Sequence, residues 1–237
     1  MSLIYLDTAR LGQACPQASQ AQLDFCRLSA ENPSMYCEQF FRSGTADWPD
    51  HERLSFPSLA HWHGLRAFKS RIAKRFGVSS PDLVFLANRS AQLVRFAARL
   101  MFRKCRNVLT TDLNWPSWQQ VVCEEALRCG QQITQAQLTQ VVFSDRVTAK
   151  EVNDRLVGQF CDSDCDGIFL PAVTNLGVHL DTSDLLRELK ATGRLRFAMI
   201  DAAQSFCHIA NPAPLPVADF TIAGCHKWLR GSLPLGL

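Results

Sequence analysis

Polar side chains that could take part in chemistry stand at the ends of several predicted strands. They are Asn88, Ser90, Asn114, Trp115, Thr174, Asn175, Asp201, Gln204, His226 and Lys227. A lysine amine, a carboxylate and a helix start that can bind phosphate are groups that together hold and activate a small anionic ligand. Alone, a strand-ending Asp is often a helix cap, and a single Lys is usually a surface residue. Convergence of these residues at one place would make them a site.

The elements that must position these residues alternate between strand and helix. Apolar runs predict strands at residues 83–86, 107–111, 132–134, 141–143, 167–170, 197–200 and 219–223. Helices are predicted at residues 16–28, 59–76, 91–102, 117–129, 148–160 and 183–191, with Ser90 as an N-cap and Thr148 and Glu151 as a capping box; residues 32–57 are predicted to be irregular. Long helices between strands imply a mostly parallel sheet in a three-layer α/β/α fold. Ligands of such sheets bind beyond the carboxyl ends of the strands, where the polar residues would converge.

Length and composition exclude several classes of protein. The chain has 237 residues, 47% of them hydrophobic, which fits one large domain. The net charge of +3 is too small to indicate nucleic-acid binding. No apolar run approaches the roughly 18 residues that span a bilayer, so no membrane partner is predicted. The N-terminus lacks the basic and apolar regions of a signal peptide, and we therefore expect a cytoplasmic protein.

The ten cysteines do not indicate a zinc-ribbon or thioredoxin-like site, because no two form a CxxC pair, and a chain of this size does not depend on disulfides for its core. Most lie in apolar segments and are predicted to be small buried hydrophobes in a reducing compartment. Cys161 and Cys165 stand among aspartates, and His61 and His63 form an H-x-H. A metal site at either place is the lesser alternative, and no metal is predicted.

Several motifs resemble the fold-type I pyridoxal-phosphate enzymes, specifically the class V aminotransferase and cysteine desulfurase superfamily. Residues 197–205, FAMIDAAQS, are similar to the family's apolar strand followed by D-A-A-Q-S, and residues 219–229, DFTIAGCHKWL, are similar to its D-F…G-x-HKWL segment. Weaker likenesses occur in family order at residues 5–9, 84–90, 114–117 and 170–177. The fold implied is the large domain of these enzymes, and the cofactor implied is pyridoxal 5'-phosphate.

The resemblance implies a role for four residues around the cofactor ring. Lys227 would hold the cofactor as a Schiff base and then move protons at the substrate α-carbon. Asp201 would pair with the pyridine nitrogen and keep it protonated. Gln204 would donate a hydrogen bond to the phenolic oxygen, and Trp115 would stack on the ring. A core position is the alternative for Trp115.

Three further residues are implied to bind the phosphate or the substrate. Ser90, at a helix N-terminus, would bind phosphate, with a helix cap as its alternative. His226 would add a phosphate contact, or else merely pack beside the lysine. Asn175 would face the substrate carboxylate or the phenolic oxygen, or else close a turn before Gly177.

The resemblance also implies how the domain is organised and what it does. Residues 1–237 would be the large, cofactor-binding domain with its N-terminal segment, and the family's small C-terminal domain would be absent. The function implied is that of an enzyme acting on an amino acid in a homodimer, through transamination, C–S lyase or desulfurase chemistry, or epimerisation. Arg89 and Ala91 depart from the desulfurase pattern A-T-E around Ser90. The alternatives are an inactive cofactor-binding or interaction domain and, more weakly, a dinucleotide-binding domain, for which no G-x-G-x-x-G follows the first strands.

Overall fold

A computed structural model describes residues 4–144, 147–209 and 218–237, with the side chains of residues 35–37 excepted. The chain divides into two compact units. The first unit is the chain up to Phe85 together with Cys225–Pro234, and the second is Leu86–Gly224 together with Leu235–Leu237. Over the described ranges, no helix has the length and apolar character to cross a membrane.

The first unit is helical and has an aromatic core. Its helices are Pro16–Glu31 (α1), Phe41–Ser43 (α2), Asp50–Ser55 (α3) and Gly64–Phe76 (α4), with a π-helix at Met35–Phe40 and 3₁₀ turns at Pro57–Leu59 and Pro81–Leu83. Its core contains Leu28, Phe40, Trp48, Phe56 and Leu59. The predicted helix at residues 16–28 is confirmed and continues to Glu31. It begins where expected because Pro16 occupies the first helical position and Cys15 Sγ accepts from the Ala18 N–H.

Two predictions in this unit are wrong, and a third is confirmed except for its start. Residues 32–57 are not irregular, because they hold the π-helix and two short helices. The helix predicted at residues 59–76 ends at Phe76 before Gly77 as expected, but it begins at Gly64, since that glycine has φ +83°, a left-handed conformation that separates the helix from the preceding 3₁₀ turn. The strand predicted at residues 83–86 is absent from the described chain, because Pro81 starts a 3₁₀ turn that ends at Leu83.

The second unit is built on a parallel sheet of five strands. The strands are Asn107–Thr111 (β1), Gln132–Ala136 (β2), Gly167–Pro171 (β3), Phe197–Asp201 (β4) and Phe220–Ile222 (β5), in the order β2-β1-β3-β4-β5. Every neighbouring pair is parallel, with Ile168 opposite Ala198 in the β3–β4 register. Its helices are Ser90–Lys104 (α5), Pro116–Cys129 (α6), Thr139–Val142 (α7), Ala149–Asp162 (α8) and Thr182–Ala191 (α9).

Alternation along the strands places helices on both faces of this sheet. Leu109, Ile168 and Ile200 pack in one buried cluster with side chains of α8 and α9. Val108, Phe169 and Met199, from the other phase of the strands, pack with α5 and α6. The predicted three-layer α/β/α fold with a mostly parallel sheet is therefore confirmed.

Local interactions explain which predicted elements of the second unit form. The capping box at Thr148 and Glu151 is confirmed, since each side chain bonds the other residue's backbone N–H. The strand predicted at residues 141–143 is wrong, and helix α7 lies there instead. The Asp112 carboxylate accepts the N–H groups of Leu138 (2.7 Å) and Thr139 (3.1 Å), which satisfies donors at the start of that helix.

The cysteines are less buried than the sequence predicts. Cys105, Cys165 and Cys225 are buried, Cys26 and Cys129 are exposed, and the others whose side chains are described are half-buried. Cys37 lies outside the residues whose side chains are described. Burial raises the pKa of the Cys105 thiol to about 12, so this cysteine remains a protonated, unreactive core residue. No group of three or more His, Cys, Asp or Glu side chains in the described ranges is placed to hold a metal ion.

Candidate functional site

The carboxyl edge of the sheet collects polar residues from neighbouring strands. Strands β1, β3, β4 and β5 end at Thr111, Pro171, Asp201 and Ile222. Because the strands are parallel, these ends share one edge. Strand β2 lies on one side of β1 and strand β3 on the other, so the β1/β3 boundary is the topological switch point where α/β sheets bind ligands.

Asp201 is a buried carboxylate at this edge, with 8% of the residue exposed. It is the last residue of β4, and its backbone carbonyl accepts from the Ala172 N–H at 2.8 Å. Its Oδ1 accepts from the Ala203 N–H at 2.9 Å, which orients the carboxylate. A negative charge held in so dry a position interacts strongly with any cationic group brought to it.

Asn114 connects the two strands at the switch point. Its Oδ1 accepts from the Thr111 N–H at 3.1 Å and the Thr111 hydroxyl at 2.8 Å, and its Nδ2 donates to the Phe169 carbonyl at 3.1 Å. The residue is thus structural, and it fixes the turn that leads to Trp115. Trp115 precedes the first residue of α6 and is 45% exposed, so its ring is available to a ligand.

The segment after β3 ends in a tight turn. The Thr174 hydroxyl accepts the N–H groups of Leu176 (3.2 Å) and Val178 (3.1 Å), and the Gly177 N–H donates to the Thr174 carbonyl at 3.1 Å. Asn175 lies exposed within this turn. The turn-forming alternative for Asn175 therefore has structural support, and its predicted role towards a substrate stays a prediction.

Gln204 follows Asp201 in a turn and is half-buried. Within this turn the Ala202 carbonyl accepts the N–H groups of Ser205 (3.1 Å) and Phe206 (2.8 Å), and the Gln204 carbonyl lies 3.2 Å from His208 Nδ1. The turn thus keeps Gln204 three residues beyond the carboxylate at the same sheet edge.

Ser90 is buried at the N-terminus of α5, but it is not the N-cap. Arg89 occupies that position, and the Ser90 hydroxyl donates to the Ala223 carbonyl just beyond β5 at 2.9 Å. Gly236 exchanges backbone hydrogen bonds with Ala87 (2.8 and 3.1 Å), and Leu237 exchanges two with Ala223 (both 3.0 Å). The predicted cap is wrong because a partner 133 residues away takes the hydroxyl. These contacts hold the start of α5 beside the end of β5.

The second unit therefore places Ser90, Trp115, Asn175, Asp201 and Gln204 on the ends of neighbouring elements at one sheet edge. The other two predicted residues, His226 and Lys227, belong to the first unit and are half-buried there. The Gly12 N–H donates to the His226 carbonyl at 2.8 Å, and the Lys227 carbonyl accepts from the Arg230 N–H at 3.1 Å. The contact of Gly12 could not be predicted, since nothing in the sequence marks which backbone a glycine approaches.

The donor set suits pyridoxal phosphate, whose ring carries a basic nitrogen and a phenolic oxygen and whose side arm is a phosphate. A buried carboxylate, an amide and an accessible indole lie at the sheet edge, and the 15-residue helix α5 begins there with its positive end. Each chemical feature of the cofactor has a matching group among these residues.

The comparisons with known proteins give a match in structure and none in sequence. No protein-family model matches the chain, and no curated protein is similar enough in sequence to count as a relative. Among solved structures, the Escherichia coli cysteine desulfurase CsdA matches with a TM-score of 0.70 and 16% identity over 98% of this chain and 52% of its own. The cysteine desulfurase of Thermococcus onnurineus matches with a TM-score of 0.67 and 14% identity, over 99% of this chain and 52% of its own.

A third match adds a related chemistry. The cystine C–S lyase C-DES, solved with its product cysteine persulfide, has a TM-score of 0.63 and 16% identity over 97% of this chain and 55% of its own. Another C-DES structure carries glycine covalently linked to its pyridoxal-phosphate cofactor. The chain spans about half the length of these proteins. It shares the α/β fold of the matched parts of these proteins.

Proposed function

We propose that this chain binds pyridoxal phosphate and acts on a sulfur-containing amino acid, in desulfurase or C–S lyase chemistry. The observation that carries the proposal is the buried, oriented carboxylate of Asp201 at the sheet edge, in a fold shared with cysteine desulfurases and a cystine C–S lyase. Transamination uses the same cofactor groups and is the second reaction that we would test. The homodimer and the cytoplasmic location expected from the sequence stay predictions.

The cofactor, when bound, supplies an electron sink for negative charge at the substrate α-carbon. The proposed task of Asp201 is to hold a proton on the ring nitrogen. Its carboxylate is nearly dry, which strengthens that ionic hydrogen bond relative to one in water. The Ala203 N–H stabilises the charged carboxylate and fixes its orientation at the same time.

The phosphate is proposed to bind at the N-terminus of α5, where the helix dipole favours an anion. The Ser90 hydroxyl donates its proton to the Ala223 carbonyl, so Ser90 would contribute its backbone N–H to the phosphate. His226 would add a second contact. Trp115 would cover one face of the ring, Gln204 would donate to the phenolic oxygen, and Asn175 would bind the substrate carboxylate.

Lys227 is proposed to hold the cofactor covalently through its Nζ and to carry a proton to and from the substrate α-carbon. An amine can do both only while its side chain can move and its backbone is fixed. The hydrogen bonds from Gly12 to the His226 carbonyl and from Arg230 to the Lys227 carbonyl support that requirement.

Borohydride trapping tests the cofactor and the lysine together. The purified chain, incubated with pyridoxal phosphate and reduced, should carry the added mass on the peptide that contains Lys227. Lys227→Arg, which keeps the charge, should lose this adduct, and the matched control Lys69→Arg should keep it. Equal labelling of many lysines, unchanged by Lys227→Arg, would refute the proposal.

A second assay tests the reaction. The chain loaded with cofactor is given cysteine, cystine or alanine, and sulfide, persulfide, pyruvate and amino-group transfer are measured. Release of sulfur supports desulfurase or lyase chemistry, and transfer of the amino group without sulfur release supports transamination. A specific Lys227 adduct with no turnover of any substrate would instead favour a cofactor-binding domain without activity. Asp201→Asn should lower any turnover at least a hundredfold, since the ring nitrogen would lose its charged partner.

A further inference from the structure

An N-terminal segment of the first unit forms hydrogen bonds with the chain on both sides of Lys227. The Gly12 N–H donates to the His226 carbonyl at 2.8 Å, and the Cys15 N–H donates to the Arg230 carbonyl at 3.0 Å. The Arg230 Nε donates to the Gln13 carbonyl at 3.0 Å. Residues 12–15, which we name the N-terminal clamp, thus hold residues 226–230 at both ends.

The clamp is itself anchored. The Arg10 and Leu11 N–H groups both donate to the Asp7 carbonyl at 3.1 Å, which closes a turn just before Gly12. The Tyr5 hydroxyl donates to the Leu11 carbonyl at 2.6 Å and ties the preceding chain to the same turn. The position of the Gly12 N–H is therefore set by several bonds within residues 5–12.

Glycine is the residue type that fits at position 12, where the clamp approaches the Lys227 backbone. A Cβ added at Gly12 would overlap the carbonyl oxygen of Lys227 and lie 2.7 Å from that of His226. Both obstructing atoms are backbone, so no side-chain rotation relieves the clash. Any larger residue at this position must displace the Lys227 peptide or the clamp.

We propose that Gly12 is a positioning residue for Lys227: its lack of a Cβ lets the clamp approach and fix the Lys227 backbone, which sets where the lysine side chain begins. The inference rests on the proposed function for its purpose, and on the hydrogen bonds of the clamp for its mechanism. The N-terminal segment would thus help to position the reactive lysine, although Gly12 itself touches neither cofactor nor substrate.

The test compares three glycine-to-alanine variants of the full chain. Gly12→Ala introduces the clash with the Lys227 carbonyl. Gly44→Ala is the matched control, because its Cβ would overlap the Trp62 carbonyl oxygen in the same unit, at a glycine with φ +75°. Gly158→Ala is the benign control, since a Cβ there meets nothing within 4 Å. Because the positive φ of Gly44 adds backbone strain, Gly44→Ala should destabilise the chain at least as much as Gly12→Ala, and only Gly12→Ala should affect residues 226–231.

Amide hydrogen exchange and borohydride trapping provide the readouts. In Gly12→Ala the Arg230 and Gly231 amides, which bond the Lys227 and Cys225 carbonyls, should exchange roughly tenfold faster, as expected for losing one or two backbone hydrogen bonds. The rate of trapping at Lys227 and the pH midpoint of the bound cofactor's absorbance should also change. Gly44→Ala should leave all three readouts at the parent's values.

The inference is overturned if Gly12→Ala and Gly44→Ala change the three readouts equally, or if Gly12→Ala changes none of them. If Gly12→Ala fails to fold, Tyr5→Phe removes the hydroxyl that bonds the Leu11 carbonyl at 2.6 Å and the Asp7 carbonyl at 3.4 Å, and it should speed exchange of the Gly12 amide roughly threefold. No change there would also overturn the inference. A parent chain that forms no Lys227 adduct refutes the proposed function instead, and the exchange measurements still decide whether the clamp exists.

Discussion

The two units of the chain have cores of different chemistry. In the second unit, aliphatic side chains alternate along the strands and meet helices on both faces of the sheet. In the first unit the core is aromatic: the Phe40 ring stacks on Trp62 at 5.5 Å and is tilted against Trp48 at 6.1 Å. Phe56 adds an edge contact to Trp48 and lies 5.3 Å from the Arg27 guanidinium.

The difference lies in what each core requires of its atoms. An aliphatic sheet core depends on volume, because its backbone polar groups are already paired in the ladder. An aromatic core also contains indole N–H groups, each of which needs its own partner. Trp62 Nε1 donates to the Phe40 carbonyl at 2.7 Å, whereas Trp48 Nε1 is buried without a hydrogen-bond partner in the described chain. The comparison predicts that lost volume dominates stability in the second unit, and that polar atoms matter more in the first.

Removing a large core side chain tests the volume half of this comparison. Phe160 is fully buried beneath the sheet, and Phe160→Ala should cost about 3–5 kcal/mol. Phe56→Ala should cost about 3 kcal/mol, at the lower end of the same range, since its ring lies beside the partly exposed Arg27, where water can enter. Denaturant unfolding with segment-resolved hydrogen exchange measures both. A larger loss for Phe56→Ala would reverse the comparison.

A buried carboxylate tests how much polar atoms contribute to the stability of the second unit. Glu125 on α6 is fully buried and accepts from Arg95 (2.9 Å) and Arg99 (3.1 Å) on α5. Glu125→Gln should destabilise the second unit by about 2 kcal/mol, because two charge-assisted hydrogen bonds weaken. The arginines are more than a third exposed and regain water, which keeps the loss below that of a fully buried pair. The control Glu124→Gln, at an exposed partner of Arg95, should cost much less.

The pH dependence of stability tests one buried carboxylate in each unit, Glu125 in the second and Asp24 in the first. Burial alone raises the pKa of Glu125, but hydrogen bonds from Arg99 and Arg95 outweigh it, so the pKa lies below its ordinary 4.5. Burial also raises the pKa of Asp24 in the first unit. Hydrogen bonds from Ser58 lower it by more, so the pKa of Asp24 lies below its ordinary 3.8. Each depressed pKa contributes stability that is complete above the ordinary value and lost as pH falls through the folded value.

We therefore expect the free energy of unfolding to fall as the pH drops below about 4.5, more shallowly in Glu125→Gln and in Asp24→Asn than in the parent. Urea unfolding at a series of pH values measures the slope. If neither variant alters the slope, the two carboxylates do not carry the acid sensitivity, and the contrast between their environments has no energetic consequence.

Much of the second unit could be predicted because its residues repeat a pattern. The strand predicted at residues 197–200 forms, since four apolar residues in succession suit a strand covered on both faces, and it continues by one residue to Asp201, at the edge where a carboxylate was expected. Ser90 was misassigned as a cap because its partner, Ala223, is remote in sequence. Long-range bonds of this kind leave no local signal.

The first unit was less predictable for the same reason. Nothing periodic in residues 32–57 indicates a π-helix or the ring contacts of Phe40, which depend on residues from four separate segments. Gly12 was visible as a glycine, but its approach to the Lys227 carbonyl is a tertiary contact. The residues of the proposed site were found through motif order, whereas the backbone that holds them was found only in three dimensions.

The two indoles give the smallest and sharpest test. Trp62→Phe removes the indole donor to the Phe40 carbonyl, which keeps its bond from the Gly44 N–H, and the lost hydrogen bond should cost about 1 kcal/mol beyond the lost ring area. Trp48→Phe loses similar area but also removes a buried N–H that lacks a partner, so the two effects offset and the net change should stay within about 1 kcal/mol. Urea unfolding of both variants measures the difference between them. Because ring area nearly cancels in this pair, an equal loss would mean that indole polarity does not matter, and that the aromatic core follows the volume rule of the sheet.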